Sequence, residues 1–402
     1  MKPNPDPSAV LGQLPDDVPA VAMRVGRRWI VGVAPDAEVC GRGRDALATL
    51  DALDAGWWAG CLAYDLGRAV EQVPSRTGDD RELPDLTLAR FDARLVLDDD
   101  TGTAWIEGEG AGRDLLTAAA AAADDERRGP ACTGWTSSLE RREFEERVAA
   151  ARELITAGKC YQVNVTRRIT APRPADPVAL LATLARRNPA PHLSFVRTND
   201  AAIVSASPER FLRWRGREVE TRPIKGTHAK AAALQASSKD HAENVMIVDL
   251  ARNDLGRVCE FGSITVPALC ALEAHPGLHH LVSTVRGTLR SETGVGDLVR
   301  ATFPPASVTG APKPRVLTAI EELEPVRRGF YCGAVGWIDA TRGTGDLAVA
   351  IRTFTITDAG TDLGVGSGIV ADSVPAIEWA ETELKAARLL EAAGARAMVG
   401  AR

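Results

Sequence analysis

At 402 residues, with 45% hydrophobic and 25% charged side chains, the chain has the composition of an ordinary globular protein large enough to bury an extensive core. A net charge of -6 and a pI near 5.7 offer no basic stripe to phosphates and exclude a nucleic-acid-binding role. No apolar run is long enough to span a bilayer and the start lacks the apolar core of a signal peptide, so the expected location is the cytoplasm.

Residues 17–35 and 56–66 alternate as strands do, and 86–97 with 103–108 form a predicted strand pair split by the turn 98–102. A helix is predicted over 112–123. The charged run 124–128 and Gly129-Pro130 then mark a linker, which divides an N-terminal region, 1–130, from 131–402. The next predicted helix, 138–157, has Ser137 and Glu140 at capping-box spacing, with Phe144, Val148, Ala151 and Ile155 on one face and Gly158 as its stop. A strand over 161–166 sends Val163 and Val165 to one side and Gln162, Asn164 and Thr166 to the other, a pattern that also suits a solvated edge. Further strands are predicted at 192–197, 202–205, 211–214, 218–220, 262–266, 281–289, 332–339, 346–357 and 362–367. Helices are predicted at 239–253 and from Pro375 to Gly394. Strands outnumber helices and many are hairpin neighbours, which predicts an α+β fold with large antiparallel sheets and outer helices rather than a Rossmann domain. The seven cysteines form no C-x-x-C pair, which disfavours a zinc site or a disulfide framework.

Lysine is scarce: Lys2, Lys159, Lys225, Lys230, Lys239, Lys313 and Lys385 stand among 48 basic residues. A desolvated lysine, unlike arginine, can lose its proton and act as base or nucleophile. Lys225 follows a strand-like run and a proline and precedes Gly226, so a turn lysine and a reactive amine both fit its setting. Asp240 and Glu243 share a helix face, as do Glu378 and Glu381, with Lys385 four residues on. By spacing alone these are either solvated helix faces or donors for a hard cation. Arg352 offers a planar fork for a carboxylate, and Gly366-Ser367-Gly368 offers bare backbone amides, although a G-x-G is often only a tight turn.

Glu209 sits in Ser207-Pro208-Glu209-Arg210-Phe211, ahead of Thr221-Arg222-Pro223-Ile224-Lys225-Gly226-Thr227. Then come Asp240-His241-Ala242-Glu243-Asn244, Asp249-Leu250-Ala251-Arg252-Asn253-Asp254, His279-His280-Leu281-Val282-Ser283-Thr284 and, after Gly366-Ser367-Gly368, Ile369-Val370-Ala371-Asp372-Ser373. This series resembles the chorismate-utilising enzymes, the family of anthranilate, aminodeoxychorismate, isochorismate and salicylate synthases. The resemblance runs from about residue 140 to 392 and more weakly through 56–68.

The resemblance implies two large antiparallel sheets packed face to face with the active site between them. Residues 1–130 would be a variable part of the same sandwich and 131–402 the chorismate-binding region. It implies Mg2+ held by Glu243 and Glu381, with Asp240 and Glu378 behind them or bound through water. Substrate contacts would come from Gly226, Thr227, His280, Thr309, Tyr331, Arg352, Gly366, Ser367, Gly368 and Lys385, with the Gln162 face of its strand turned into the site. Anthranilate synthases carry alanine where Lys225 stands, and isochorismate and salicylate synthases place a lysine base where Gln162 stands. Both positions favour the aminodeoxychorismate branch, with Lys225 as nucleophile at carbon 2, Glu209 as the acid and ammonia adding at carbon 4. None of the cysteines lies in the G-x-C-x-G elbow of a glutaminase, so a separate glutamine amidotransferase subunit is the expected ammonia source. The rivals are amination at carbon 2, by an anthranilate or 2-amino-2-deoxyisochorismate synthase, and a non-catalytic paralogue that binds a ligand or an amidotransferase.

Overall fold

The computed structural model describes residues 5–73, 75–123, 129–130, 132–228, 230–275 and 278–395. The charged run proposed as a linker, 124–128, lies outside them.

Two antiparallel sheets carry the fold, one of eleven strands and one of ten. In the larger sheet Gly310–Ala311 leads through Gln162–Ala171, Gly360–Ile369, Thr353–Thr357, Ala202–Ser207 and His192–Arg197 to the early strands Ala20–Val25, Arg28–Val33, Arg94–Asp98 and Thr103–Glu107. In the smaller sheet Ile224–His228 lies at one edge, followed by Leu278–Thr288, Glu218–Arg222, Arg210–Arg215, Thr344–Val349 and Ala334–Asp339, and then by Trp57–Leu62, Leu86–Arg90 and Ala37–Gly41. Strands from before residue 130 therefore pair with strands from after it in both sheets: Ala22 lies opposite Phe195, and Ala59 opposite Trp337.

The sheets pack on one another through a buried apolar layer that draws Val21, Met23, Val196 and Ile203 from one and Trp57, Ala59, Cys61 and Val335 from the other. Helices cover the outer faces. The alternation of strand side chains leaves Trp29, Val31, Leu95 and Leu97 in one cluster with Leu116 and Ala119 of the helix Ala111–Ala122, while the last helix, Pro375–Ala392, covers Gly360–Ile369. On the second sheet Trp58, Leu212 and Trp214 join a cluster that includes Leu47, Leu50 and Leu298 from helices.

Three sequence expectations change. The run 86–97 is two strands, Leu86–Arg90 and Arg94–Asp98, that enter different sheets. The run 346–357 also divides, into Thr344–Val349 of the smaller sheet and Thr353–Thr357 of the larger, with Arg352 at the break in a left-handed conformation (φ 52°). Both segments keep apolar residues on either side of the break, because both sheets are covered on their outer faces, so periodicity carries no sign of the crossing. The helix Arg141–Thr156 takes its capping box from Glu140 and Glu143, not from Ser137, whose hydroxyl donates to the Leu139 carbonyl.

Candidate active site

Lys225 lies on the edge strand Ile224–His228, and its side chain reaches towards Gly368 on Gly360–Ile369 of the facing sheet. A methyl group added to Gly368 would stand 3.5 Å from Lys225 Nζ and 3.1 Å from Gln162 Nε2. Gln162 is fully buried, and neither its amide nitrogen nor its amide oxygen has a hydrogen-bond partner. A buried amide left without partners is costly, which marks it as a group facing a ligand.

The backbone of Gly366 and Gly368 is turned to the same space. On the paired strand, Asn164 N–H donates to the Thr309 carbonyl at 2.8 Å and Thr166 N–H to Glu324 at 2.9 Å, both away from the glycines. Antiparallel alternation then directs the amides of Gly366 and Gly368 to the opposite edge. The strand on that side starts its pairing only at Phe354 opposite Leu363, so the ladder leaves the glycine amides uncovered. Lys385 Nζ, 2.9 Å from the Gly366 carbonyl, stands at this edge. Ser367 points the other way and donates to Glu378, which is 1% exposed.

Glu209 and Arg352 occupy places where the chain passes between the sheets. Burial raises the Glu209 carboxyl to about 7, against the Ser307 hydroxyl, the Lys225 amine, the Ile224 N–H and Arg352, which all favour its ionised form. Burial lowers the Lys225 amine, helped by Lys385 and opposed by Glu243, Glu209 and Glu381. Arg352 is also lowered, by burial first and then by Arg388, and it makes no ion pair among the described residues.

Helix Ser238–Gly256, capped by Ser237, brings Asp240 and Glu243 towards the last helix. Burial raises Glu243, and Asp240 and Glu381 push it the same way. Burial also acts to raise Glu381, but Lys385, bonded to it at 2.6 Å, with Lys239 and Lys225, outweighs this and leaves it lowered. Lys239 lies 3.8 Å from Glu243 and 3.6 Å from Glu378. Three of the seven lysines thus converge on this carboxylate group. Among the described residues no three His, Cys, Asp or Glu side chains form a cage for a metal. Two mutually repelling oxygen donors, with lysines supplying the countercharge, do fit a hard divalent ion that keeps much of its water.

Other expected residues sit differently. Gly226 has φ 76°, and a side chain there would strike Asp240 and Leu234 within 3.0 Å. Its smallness therefore serves helix packing against the strand. Thr227 lies opposite His280 in the ladder, but its side chain is outside the described residues, and His280 is 2% exposed. Thr309 donates its hydroxyl to the Pro305 carbonyl at 3.0 Å, so that proton is committed. The Tyr331 ring rests on Gly364 and borders a separate cleft lined by Thr166, Arg168, Glu324, Arg328 and Asp362. No described contact links it to Lys225. Sequence reasoning missed Ser307, whose carbonyl accepts from Lys225 Nζ at 3.3 Å, and it noticed Lys239 only through the scarcity of lysine.

The sequence profile of a family described as "chorismate binding enzyme" matches residues 32–391. Aminodeoxychorismate synthase component 1 of Klebsiella aerogenes is 40% identical over 357 residues, which cover 82% of this chain and 76% of that protein. Anthranilate synthase component 1 of Streptomyces coelicolor is 36% identical over 367 residues, covering 83% of this chain and 72% of its own length. The crystal structure of anthranilate synthase component I from Streptococcus pneumoniae superimposes with a TM-score of 0.81 at 29% identity, covering 90% of this chain and 92% of that one. With a profile spanning most of its length and an α+β double-sheet fold in common, the chain belongs to the chorismate binding enzyme family.

Proposed function

We propose that the chain exchanges the 4-hydroxyl of chorismate for ammonia, giving 4-amino-4-deoxychorismate and water, as component 1 of an aminodeoxychorismate synthase. The observation that carries this reading is an amine, Lys225, whose pKa burial lowers, facing a carboxyl, Glu209, that burial raises to about 7. A neutral amine can attack and a protonated carboxyl can release a hydroxyl, and hydroxide is a poor leaving group without such an acid. The relatives named aminodeoxychorismate synthase component 1 support the same branch.

The roles follow from these groups. Arg352 and the amides of Gly366 and Gly368 hold a substrate carboxylate, while Gln162, His280, Thr309, Lys385, Gly226 and Thr227 shape the remainder of the pocket; Tyr331, expected there from the resemblance, borders the separate cleft instead. Magnesium held by Glu243 and Glu381, backed by Asp240 and Glu378, would neutralise the ring carboxylate. Lys225 Nζ forms a bond to carbon 2 as the ring double bonds shift, and the carbon 4–oxygen bond breaks with the Glu209 proton leaving in water. Ammonia then bonds to carbon 4, the electrons shift back, the carbon 2–Nζ bond breaks, and Glu209 regains a proton from the new ammonium. Gln162 lacks the basicity to activate water, which leaves ammonia as the incoming nucleophile. A separate glutamine amidotransferase subunit supplies it, in keeping with the "component 1" of the relatives' names.

Incubation of the purified chain with chorismate, Mg2+ and ammonium, followed by mass identification of the product, tests this. 4-Amino-4-deoxychorismate is expected. Anthranilate or a carbon-2 amine would move the chain to the rival branch, and tight chorismate binding without turnover would make it a non-catalytic paralogue.

A further inference from the structure

The carboxylates assigned to magnesium come from two helices, Glu243 from Ser238–Gly256 and Glu381 from Pro375–Ala392, and each helix adds a second acid one turn earlier, Asp240 and Glu378. Like charges gathered in this way repel one another, so the helix pair needs a counter-cation whenever no metal is bound.

Three lysines are near, and two of them are committed elsewhere. Lys385 Nζ lies 2.6 Å from Glu381 Oε1 and donates to the Gly366 carbonyl at 2.9 Å. Lys225 Nζ donates to the Ser307 carbonyl at 3.3 Å. Lys239 Nζ instead lies 3.8 Å from Glu243 Oε1 and 3.6 Å from Glu378 Oε1, too far for a hydrogen bond to either. Charge alone holds it there. Its side chain is 52% exposed, against 14% for Glu243 and 2% for Glu378, so the amine can withdraw into water while the carboxylates stay. The Ser367 hydroxyl fixes Glu378 further. Among the described residues neither carboxylate has another ion-pair partner. The contact also joins the two helices, as the assigned metal donors do: Lys239 reaches one carboxylate on its own helix and one on the other.

We propose that Lys239 is a displaceable counter-cation, whose ammonium bridges Glu243 and Glu378 in the metal-free protein and must be expelled to solvent before a divalent ion binds. The inference rests on the magnesium assignment made above. It gives Lys239 a role opposite to that of a metal-site helper: the residue keeps the empty site neutralised and weakens its hold on the ion.

The test is calorimetric titration of Mg2+ into the metal-free protein, without chorismate, for wild type, Lys239→Met and Lys239→Arg, with thermal melts to confirm folding. Methionine suits an exposed helical turn. Lys239→Met binds Mg2+ about tenfold more tightly, because the ion no longer competes with a resident cation. Lys239→Arg, which keeps the charge, stays near wild type. Brief labelling of wild type with an amine-acetylating reagent, followed by peptide mass mapping, reads the release itself. Saturating Mg2+ raises modification of Lys239 about fivefold and leaves the exposed Lys159 unchanged. Equal or weaker Mg2+ binding by Lys239→Met overturns the proposal. So does tighter binding with no change in Lys239 labelling, which makes the lysine a remote charge rather than an occupant of the gap. Either result leaves the amination reading standing. A wild type that binds no Mg2+ overturns the magnesium assignment together with this inference.

Discussion

Glu209 and Arg352 lie side by side at two crossings between the sheets, and the crossings are stitched to each other: Val349 N–H donates to the Glu209 carbonyl and Ala206 N–H to the Arg352 carbonyl, each at 3.0 Å. A carboxyl and a guanidinium are thereby fixed at the seam by backbone bonds rather than by an ion pair between their side chains. The arrangement costs stability. The carboxyl titrates at about 7 in the fold against 4.5 ordinarily, so the native state holds a proton that the unfolded chain releases. Stability therefore falls as pH rises from about 4.5 to about 7. Glu209→Gln abolishes turnover yet raises thermal stability above neutrality by an amount on the order of 3 kcal/mol, with little gain at pH 4. Melting curves across this range check the direction, and equal gains at both ends would refute it.

Lys225→Ala removes the amine that bonds to carbon 2, and formation of 4-amino-4-deoxychorismate falls by about a thousandfold or more. Traces of a carbon-2 amine or anthranilate are expected, because ammonia can then reach that carbon directly. Intact-protein mass after mixing wild type with chorismate without ammonia, followed by acid quenching, reveals an adduct that maps to Lys225. Near wild-type carbon-4 product from the variant contradicts the covalent route.

Gly368→Ala places a methyl group 3.5 Å from Lys225 Nζ and 3.1 Å from Gln162 Nε2 in extended backbone that tolerates alanine. Folding is unaffected within about 1 kcal/mol, while chorismate turnover drops about tenfold or more, since sub-ångström displacements cost reactivity. Unchanged kinetics would remove the glycine from the pocket.

Glu243→Gln and Glu381→Gln each lose magnesium affinity and with it activity. Titration calorimetry in the absence of chorismate measures this directly. Full retention of magnesium binding in both variants would dissociate these carboxylates from the metal.

Ammonium salts support turnover by the purified chain, whereas glutamine alone supports almost none. Efficient use of glutamine by a homogeneous preparation would contradict the need for a partner subunit.

The sequence made the class of fold and most of the chemically active side chains legible because charge, glycine and proline leave local marks. The acidic pairs at helical spacing, the glycines of Gly366-Ser367-Gly368 and the isolated lysine at 225 are of that kind. Crossings between sheets leave no such mark: Val349, Ala350 and Ile351 read as continuous strand although the chain changes sheets there. Ser307 was equally hidden. A serine flanked by alanine and valine has no periodicity, and its carbonyl meets Lys225 Nζ only in the assembled fold. Nothing local marks that Gly226 must lack a side chain, because Leu234 and Asp240, which would strike one, come from helices that only the fold brings against the strand.

The interleaving of early and late strands governs the order in which the molecule can be completed during synthesis. Trp57–Leu62 emerges from the ribosome long before Ala334–Asp339, the strand against which it pairs, and Ala20–Val25 precedes His192–Arg197 by a shorter but still wide interval. Neither sheet closes until most of the polypeptide has been made. Such non-local pairing makes folding slow. It also leaves apolar strand edges uncovered on the nascent chain, where chaperone capture competes with aggregation.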